Sequence, residues 1–244
     1  MSPAKTFATG MRVLSQLRHD PRTIGLILLV PTVLMVVMRY VFNDSTITFD
    51  AFAPIILGIF PFIVMFIVTS ITMLRERTTG TLERLMTLPL AKLDLLLGYA
   101  LAFGILAICQ AALASFVTLN WLDASIQGSV GLIILIALLA GLLGMSLGLF
   151  VSAFANTEFQ AVQFMPALVF PQLLTSGLFV QRDSMAKLLQ WFADVMPLTY
   201  VVDAMKRVTT DSSWTAGLAS DVWVIVGFSM AALVLSAATL RRSR

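Results

Sequence analysis

Residues 130–154 read VGLIILIALLAGLLGMSLGLFVSAF, an apolar run without a charged side chain. A helix rises about 1.5 Å per residue and the hydrocarbon core of a bilayer is roughly 30 Å thick, so about 20 such residues cross it. Lipid offers backbone N–H and C=O groups no partners, and a helix satisfies them within the segment itself. Working outward from this run, the same pattern recurs at 23–42, 53–74, 95–119, 159–180 and 222–240. The expected fold class is an all-α polytopic membrane protein with six transmembrane helices, the membrane domain occupying 23–244 behind an amphipathic segment at 1–22.

Composition agrees. Of 244 residues, 59% are hydrophobic and 12% charged, about half the charge of an ordinary soluble domain. A soluble core of this size cannot conceal that much apolar surface, so the excess faces lipid. The net charge of +3 is small, and the cations cluster between apolar runs, which suits membrane orientation and not nucleic acid. Cys109 is the single cysteine, so no internal disulfide forms. Residues 1–22 are polar and basic, the first apolar run is long and a small-residue cleavage site is missing, so no cleavable signal peptide is expected.

The cations also set the orientation. Lys5, Arg12, Arg18 and Arg22 precede the first span. Arg75, Arg77, Arg84 and Lys92 follow the second, and Arg241, Arg242 and Arg244 follow the last. The intervening loops 43–52 and 121–129 carry Asp44, Asp50 and Asp123 with no Lys or Arg. With six spans all three basic groups share one side, which places both termini in the cytoplasm.

Three further segments are amphipathic. Phe7, Met11, Leu14 and Leu17 follow helical spacing and predict a helix on the inner membrane surface, ended by Asp20-Pro21. Met185, Leu188, Leu189, Phe192, Val195 and Met196 line a second face, and Pro197 breaks it. Leu198, Val201, Val202, Met205 and Val208 restart a third, and these two are expected as short helices dipping into or resting on the outer leaflet. Within the spans, Ala137, Gly141, Gly144, Gly148 and Ser152 form a stripe of small residues, answered by Ala100, Gly104, Ala107, Ala111 and Ala114. Such stripes let helix backbones approach closely. Pro31, Pro61, Pro166 and Pro171 fall inside spans, and the last two make the fifth span the expected place for a bend or break.

No Asp, Glu, Lys, Arg or His lies centrally in any span. Proton- or sodium-coupled carriers generally need such a group, so a secondary transporter is disfavoured. Metal chemistry wants clustered His, Asp, Glu or Cys, and His19 is the only histidine, so no catalytic or metal site is expected. The polar groups left in the spans, Gln110, Gln163, Gln172, Thr175 and Ser176, are neutral and suit an apolar or amphipathic cargo. No Walker-type phosphate loop occurs in the chain. If transport is ATP-driven, another polypeptide binds the nucleotide.

The basic segment 75–94 completes the pattern. Thr79-Gly80-Thr81 interrupts the helix leaving the membrane, and a short helix follows from about Leu82. Glu83 sits in its first turn, where the helix dipole favours an acid. Leu82, Leu85, Met86 and Leu88 give it an apolar face, and Pro89 ends it.

Here the sequence resembles the type-2 ABC transporter permeases, the membrane subunits of bacterial multidrug and antibiotic-resistance exporters. The resemblance runs through Arg18-His19-Asp20-Pro21-Arg22 and Pro31, through Arg75-Glu76-Arg77 to Gly80-Thr81-Leu82-Glu83 and Pro89, and through Ser176-Gly177-Leu178-Phe179 to Met196-Pro197-Leu198-Thr199-Tyr200. It implies a six-helix subunit in the bacterial inner membrane, paired with a second identical or related permease and with two ATPase subunits that carry ATP and Mg. It implies a coupling helix for the ATPase within Glu76, Arg77, Thr81, Leu82, Glu83, Leu85 and Met86, with Glu83 and Arg77 as leading contacts. It also implies a cargo path along the second and fifth spans, with Phe60, Phe62, Met65, Phe66, Phe164, Met165, Phe170 and Gln172 as candidates. The loop between the first two spans is short where many relatives carry an external domain, which points to drug or lipid export. A polysaccharide or teichoic-acid exporter, a gradient-driven transporter and a membrane scaffold stand as alternatives.

Overall fold

The computed structural model describes residues 2–88, 90–124, 128–211 and 213–240. Pro89 and the basic tail Arg241, Arg242 and Arg244 lie outside them. The described chain forms ten α-helices: α1 (Pro3–Arg18), α2 (Pro21–Val41), α3 (Thr46–Thr78), α4 (Thr81–Thr87), α5 (Lys92–Asn120), α6 (Val130–Ser152), α7 (Glu158–Thr175), α8 (Lys187–Val195), α9 (Pro197–Thr210) and α10 (Ala216–Thr239). A 3-10 turn at Arg182–Ser184 precedes α8. The chain is therefore the all-α polytopic membrane protein that its apolar runs predict.

Five helices, α2, α3, α5, α6 and α10, are long and apolar enough to cross a membrane. The fifth predicted span becomes α7, which has 18 residues and is less apolar because Gln160, Gln163 and Gln172 interrupt it. It ends at Thr175, not at residue 180, because Gly177 adopts φ 81°, a left-handed conformation that closes a helix. Pro166 and Pro171 lie inside α7 without breaking it. Conversely, α3 starts at Thr46, seven residues before the expected start at Ala53, and runs for 33 residues, about 50 Å. Residues 46–52 are thus helix where the sequence suggests a loop.

Helix α6 is the hub, and its principal partner is α3 rather than the α5 stripe alone. A Cβ on Gly144 would stand 2.1 Å from the Phe62 carbonyl oxygen, and one on Gly148 would stand 2.4 Å from that of Phe66. Gly141 faces Ala107 on α5, so the stripe serves two neighbours. The Thr69 hydroxyl shares its proton between the Met65 carbonyl of its own helix at 2.7 Å and, across this seam, the Met145 carbonyl at 3.2 Å. Backbone approach this close multiplies dispersion contacts where no hydrophobic effect is available between lipid-embedded helices.

The core has two main parts. At the α9 end Phe49, Phe62, Ile136, Val201 and Met205 pack together. At the α4 end Val13, Met73, Leu96, Tyr99, Phe103 and Leu149 do so. The surface helix α1 belongs to the second, with Val13 and Leu17 buried and Gly10 against the Gly98 carbonyl of α5. Helix α8 is largely exposed, as expected of a segment resting on a surface. Helix α9 is instead built into the bundle: Leu198, Val201, Val202, Met205 and Val208 are fully buried against α3, α6 and α10. Gln172 anchors its start by accepting from the Leu198 N–H at 3.3 Å, and Arg182 ties it down by pairing with Asp203 at 2.8 Å. Burial pushes the Asp203 carboxyl up from the ordinary aspartate range.

Candidate functional site: the α3–α4 junction

The last turn of α3 carries three adjacent ionic side chains, Arg75, Glu76 and Arg77, and successive residues on a helix point about 100° apart. Each therefore reaches a different neighbour. Arg75 makes a bidentate pair with Glu158 at the start of α7, Nε to Oε1 at 2.6 Å and Nη2 to Oε2 at 3.1 Å. Glu76, with 7% of its side chain exposed, accepts from Arg12 Nη1 of α1 at 2.8 Å and from Nη2 at 3.4 Å. Arg12 also reaches the buried Tyr99 hydroxyl of α5 at 3.4 Å. Arg77 donates to the carbonyls of Ser152 and Ala155, which close the end of α6. The Ser152 carbonyl belongs to the last turn of α6, where intrahelical partners run out and a cation is favoured.

Immediately after this clamp the chain turns. Gly80 takes φ 73°, accessible to glycine without steric cost, and nothing stands within 4 Å of where a Cβ would be. Its left-handed geometry caps α4 and redirects it. Helix α4 is seven residues long. Leu82 is buried, and Leu85 and Met86 pack against the same core as Met73 and Leu96. Glu83, Arg84, Thr87 and Leu88 face outward, and Leu88 is 49% exposed. Beside α4 a cavity of 660 Å³ opens toward the end of α10, lined by Met73, Arg77, Leu82, Met86 and Ser236. Lys92 closes the region by donating to the Leu240 carbonyl. The structure therefore gathers α1, α4 and the end of α10 at one end of the bundle, and α8 and α9 at the other.

Of the predicted coupling residues, Glu83 is outward and accessible, while Thr81, Leu85 and Met86 are half-buried and Leu82 is buried. Glu76 and Arg77 are committed to contacts within the chain. Of the predicted cargo residues, Phe62, Met65 and Phe66 are buried, and the backbones of Phe62 and Phe66 lie against Gly144 and Gly148 of α6. Gln172 is 5% exposed and holds α9. Phe170 is exposed, and Phe60, Phe164 and Met165 are half-buried. The structure thus divides that set and does not gather it at one surface. Sequence reasoning missed Arg12 and Tyr99 as partners of Glu76. A tyrosine within a span was the available signal, because a buried hydroxyl needs a polar neighbour.

A multi-helix bundle with long apolar helices, and a short amphipathic helix held out at one end by an ionic clamp, defines a polytopic membrane protein. The chain belongs to the ABC-2 type transporter family, whose model matches residues 5–208. It is 25% identical over 201 residues to "ABC transporter G family member 20" of Dictyostelium discoideum, covering 80% of this chain and 28% of that protein. It is 26% identical over 171 residues to "Probable multidrug ABC transporter permease YbhS" of Escherichia coli, covering 70% and 45% respectively. It is 28% identical over 170 residues to "Probable multidrug ABC transporter permease YbhR" of the same organism, covering 66% and 46%. The chain spans less than half the length of each of these relatives.

Proposed function

We propose that this chain is the membrane-spanning permease subunit of an ATP-driven ABC exporter that moves a hydrophobic or amphipathic drug, antibiotic or lipid-like molecule. ATP and Mg bind to a separate ATPase subunit, two per complex, and a second permease, identical or related, completes the transporter. Both termini lie in the cytoplasm of a bacterial cell, and α8 and α9 lie at the outer side of its inner membrane, an orientation that the basic residues at the α4 end support. The observation that carries the reading is α4 itself. Its apolar face is anchored in the bundle and its polar face, Glu83, Arg84 and Thr87 with Leu88, is turned outward beside a clamp to three other helices. A rigid lever of this kind transmits force from a docked partner into the spans. Charged side chains of both signs on this face give the docking its register.

Affinity purification in mild detergent, followed by mass spectrometry, tests the reading. Stoichiometric recovery of an ABC-type ATPase, and its loss in Glu83→Lys, is the expected result. Recovery of the chain without an ATPase, or undiminished ATPase binding and transport by a folded Glu83→Lys variant, overturns it.

A further inference from the structure

Between α2 and α3, near the α4 end, an apolar groove of 400 Å³ is walled by Ile27, Val30, Val64 and Val68. Its length, from Val64 to Thr72 on α3, is about 12 Å, close to the roughly 15 Å depth of one leaflet. The groove does not simply end. Leu17, Asp20, Thr72 and Arg75 form its rim and also line a second cavity of 270 Å³, whose other walls are Gln16, Glu76, Thr79 and Thr81. An apolar trough thus opens into a polar chamber at the level where the helices leave the membrane. That is the outline of an amphipath with one chain along the helices and a headgroup among hydroxyls and charges.

The rim charges select the headgroup. Arg75 uses Nε and Nη2 on Glu158, and among the described residues Nη1 donates to nothing. Asp20 accepts from the Thr23 N–H and hydroxyl at 3.2 and 2.6 Å and lies close enough to Arg75 to feel its charge. A purely anionic headgroup meets the Asp20 and Glu76 carboxylates that line the groove and the chamber, and a purely cationic one meets Arg75. A zwitterion satisfies both signs: phosphate toward Arg75, ammonium toward Asp20.

We infer that the groove between α2 and α3 holds one bilayer phospholipid with a phosphate and a primary ammonium, of the ethanolamine type, its headgroup seated against Asp20, Arg75 and Thr81. A primary ammonium donates hydrogen bonds to Asp20, and a quaternary one cannot. Thr81 is the first residue of α4, so the headgroup touches the base of the lever and its presence is felt there. The inference needs only that α2 and α3 are embedded in lipid, and it stands or falls independently of ATPase docking.

Native mass spectrometry of the purified full chain, reconstituted with equal phosphatidylethanolamine, phosphatidylcholine and phosphatidylglycerol, tests it. One phosphatidylethanolamine per chain should be retained about tenfold over either competitor, the discrimination expected of one charge-assisted hydrogen bond. Asp20→Asn, which keeps the helix cap, should bring ethanolamine and choline lipids to parity, and Val68→Trp, which fills the trough, should lose the lipid altogether. Equal retention of all three lipids by the natural chain, or an unchanged lipid complement in Val68→Trp, overturns the inference. So does a disulfide between two copies carrying Val68→Cys in a Cys109→Ala background, since protein then covers the groove.

Discussion

Replacing Gly144 by alanine tests whether the seam between α3 and α6 carries the fold. The added Cβ would stand 2.1 Å from the Phe62 carbonyl oxygen and 2.8 Å from its carbon. These are backbone atoms and cannot rotate away, so the two helices must open by about 1.3 Å to reach ordinary van der Waals contact. An opening of that size takes the Thr69 to Met145 hydrogen bond from 3.2 Å beyond any useful length. Over-packing of this kind costs about 1–3 kcal/mol, and an interhelical hydrogen bond in lipid adds about 0.6 kcal/mol. The expected loss is therefore about 2–4 kcal/mol. Two internal controls separate crowding from helix propensity: a Cβ on Gly227 meets nothing within 4 Å, and one on Gly104 meets only Leu142 and Leu138 at 3.5 Å and beyond. Thermal unfolding of the detergent-solubilised protein should rank Gly144→Ala far below Gly104→Ala and Gly227→Ala. Equal midpoints for the three variants would refute the reasoning.

Three other outcomes follow from the same contacts. Arg12→Met strands the buried Glu76 carboxylate and should lower unfolding free energy by about 2 kcal/mol, less than for a fully enclosed pair because 26% of the Arg12 side chain is exposed; the double variant with Glu76→Met should recover most of the loss. Gln110 is fully buried in α5 and its amide finds no partner among the described residues, so Gln110→Leu should raise thermal stability by about 1–3 kcal/mol. The Thr23 hydroxyl and N–H hold the Asp20 carboxyl below its ordinary range. Its capping contribution is therefore full above the unfolded-state value and is lost as pH falls through the lowered folded one, and Asp20→Asn should flatten that acid limb in a melting-temperature profile against pH.

Helix type and order were legible because apolar runs long enough to cross a bilayer admit few alternatives, and the basic clusters mark their ends. The small-residue stripe on α6 was legible too, but its partner was not. Spacing reports which residues share a face and says nothing of which helix lies opposite, so the matching small residues of α5 suggested the partner, whereas Gly144 and Gly148 lie against α3. The same ambiguity affects the aromatic candidates: Phe62 and Phe66 look like Phe170 in composition, and only packing shows that two are inside and one outside. In α9, amphipathic spacing predicted a helix at the surface. What the pattern could not convey is that Gln172 and Arg182 supply partners for its start and its acid, which lets the apolar face sink into the bundle. A separate short helix from about Leu82 was legible because Gly80 and its flanking threonines break the pattern, and α4 spans Thr81–Thr87. The accessible residues of that helix followed once Leu82, Leu85 and Met86 were placed inside.

The seven residues of α4 keep their two duties on separate side chains. Leu82, Leu85 and Met86 answer to the bundle, while Glu83, Arg84 and Thr87 stay exposed on the other face. Changes on the outer face therefore cost the permease little stability. If an ATPase docks there as proposed, the lineage is free to re-tune which one it accepts, and gene duplicates can diverge into non-interchangeable pairs without first repairing a damaged membrane domain.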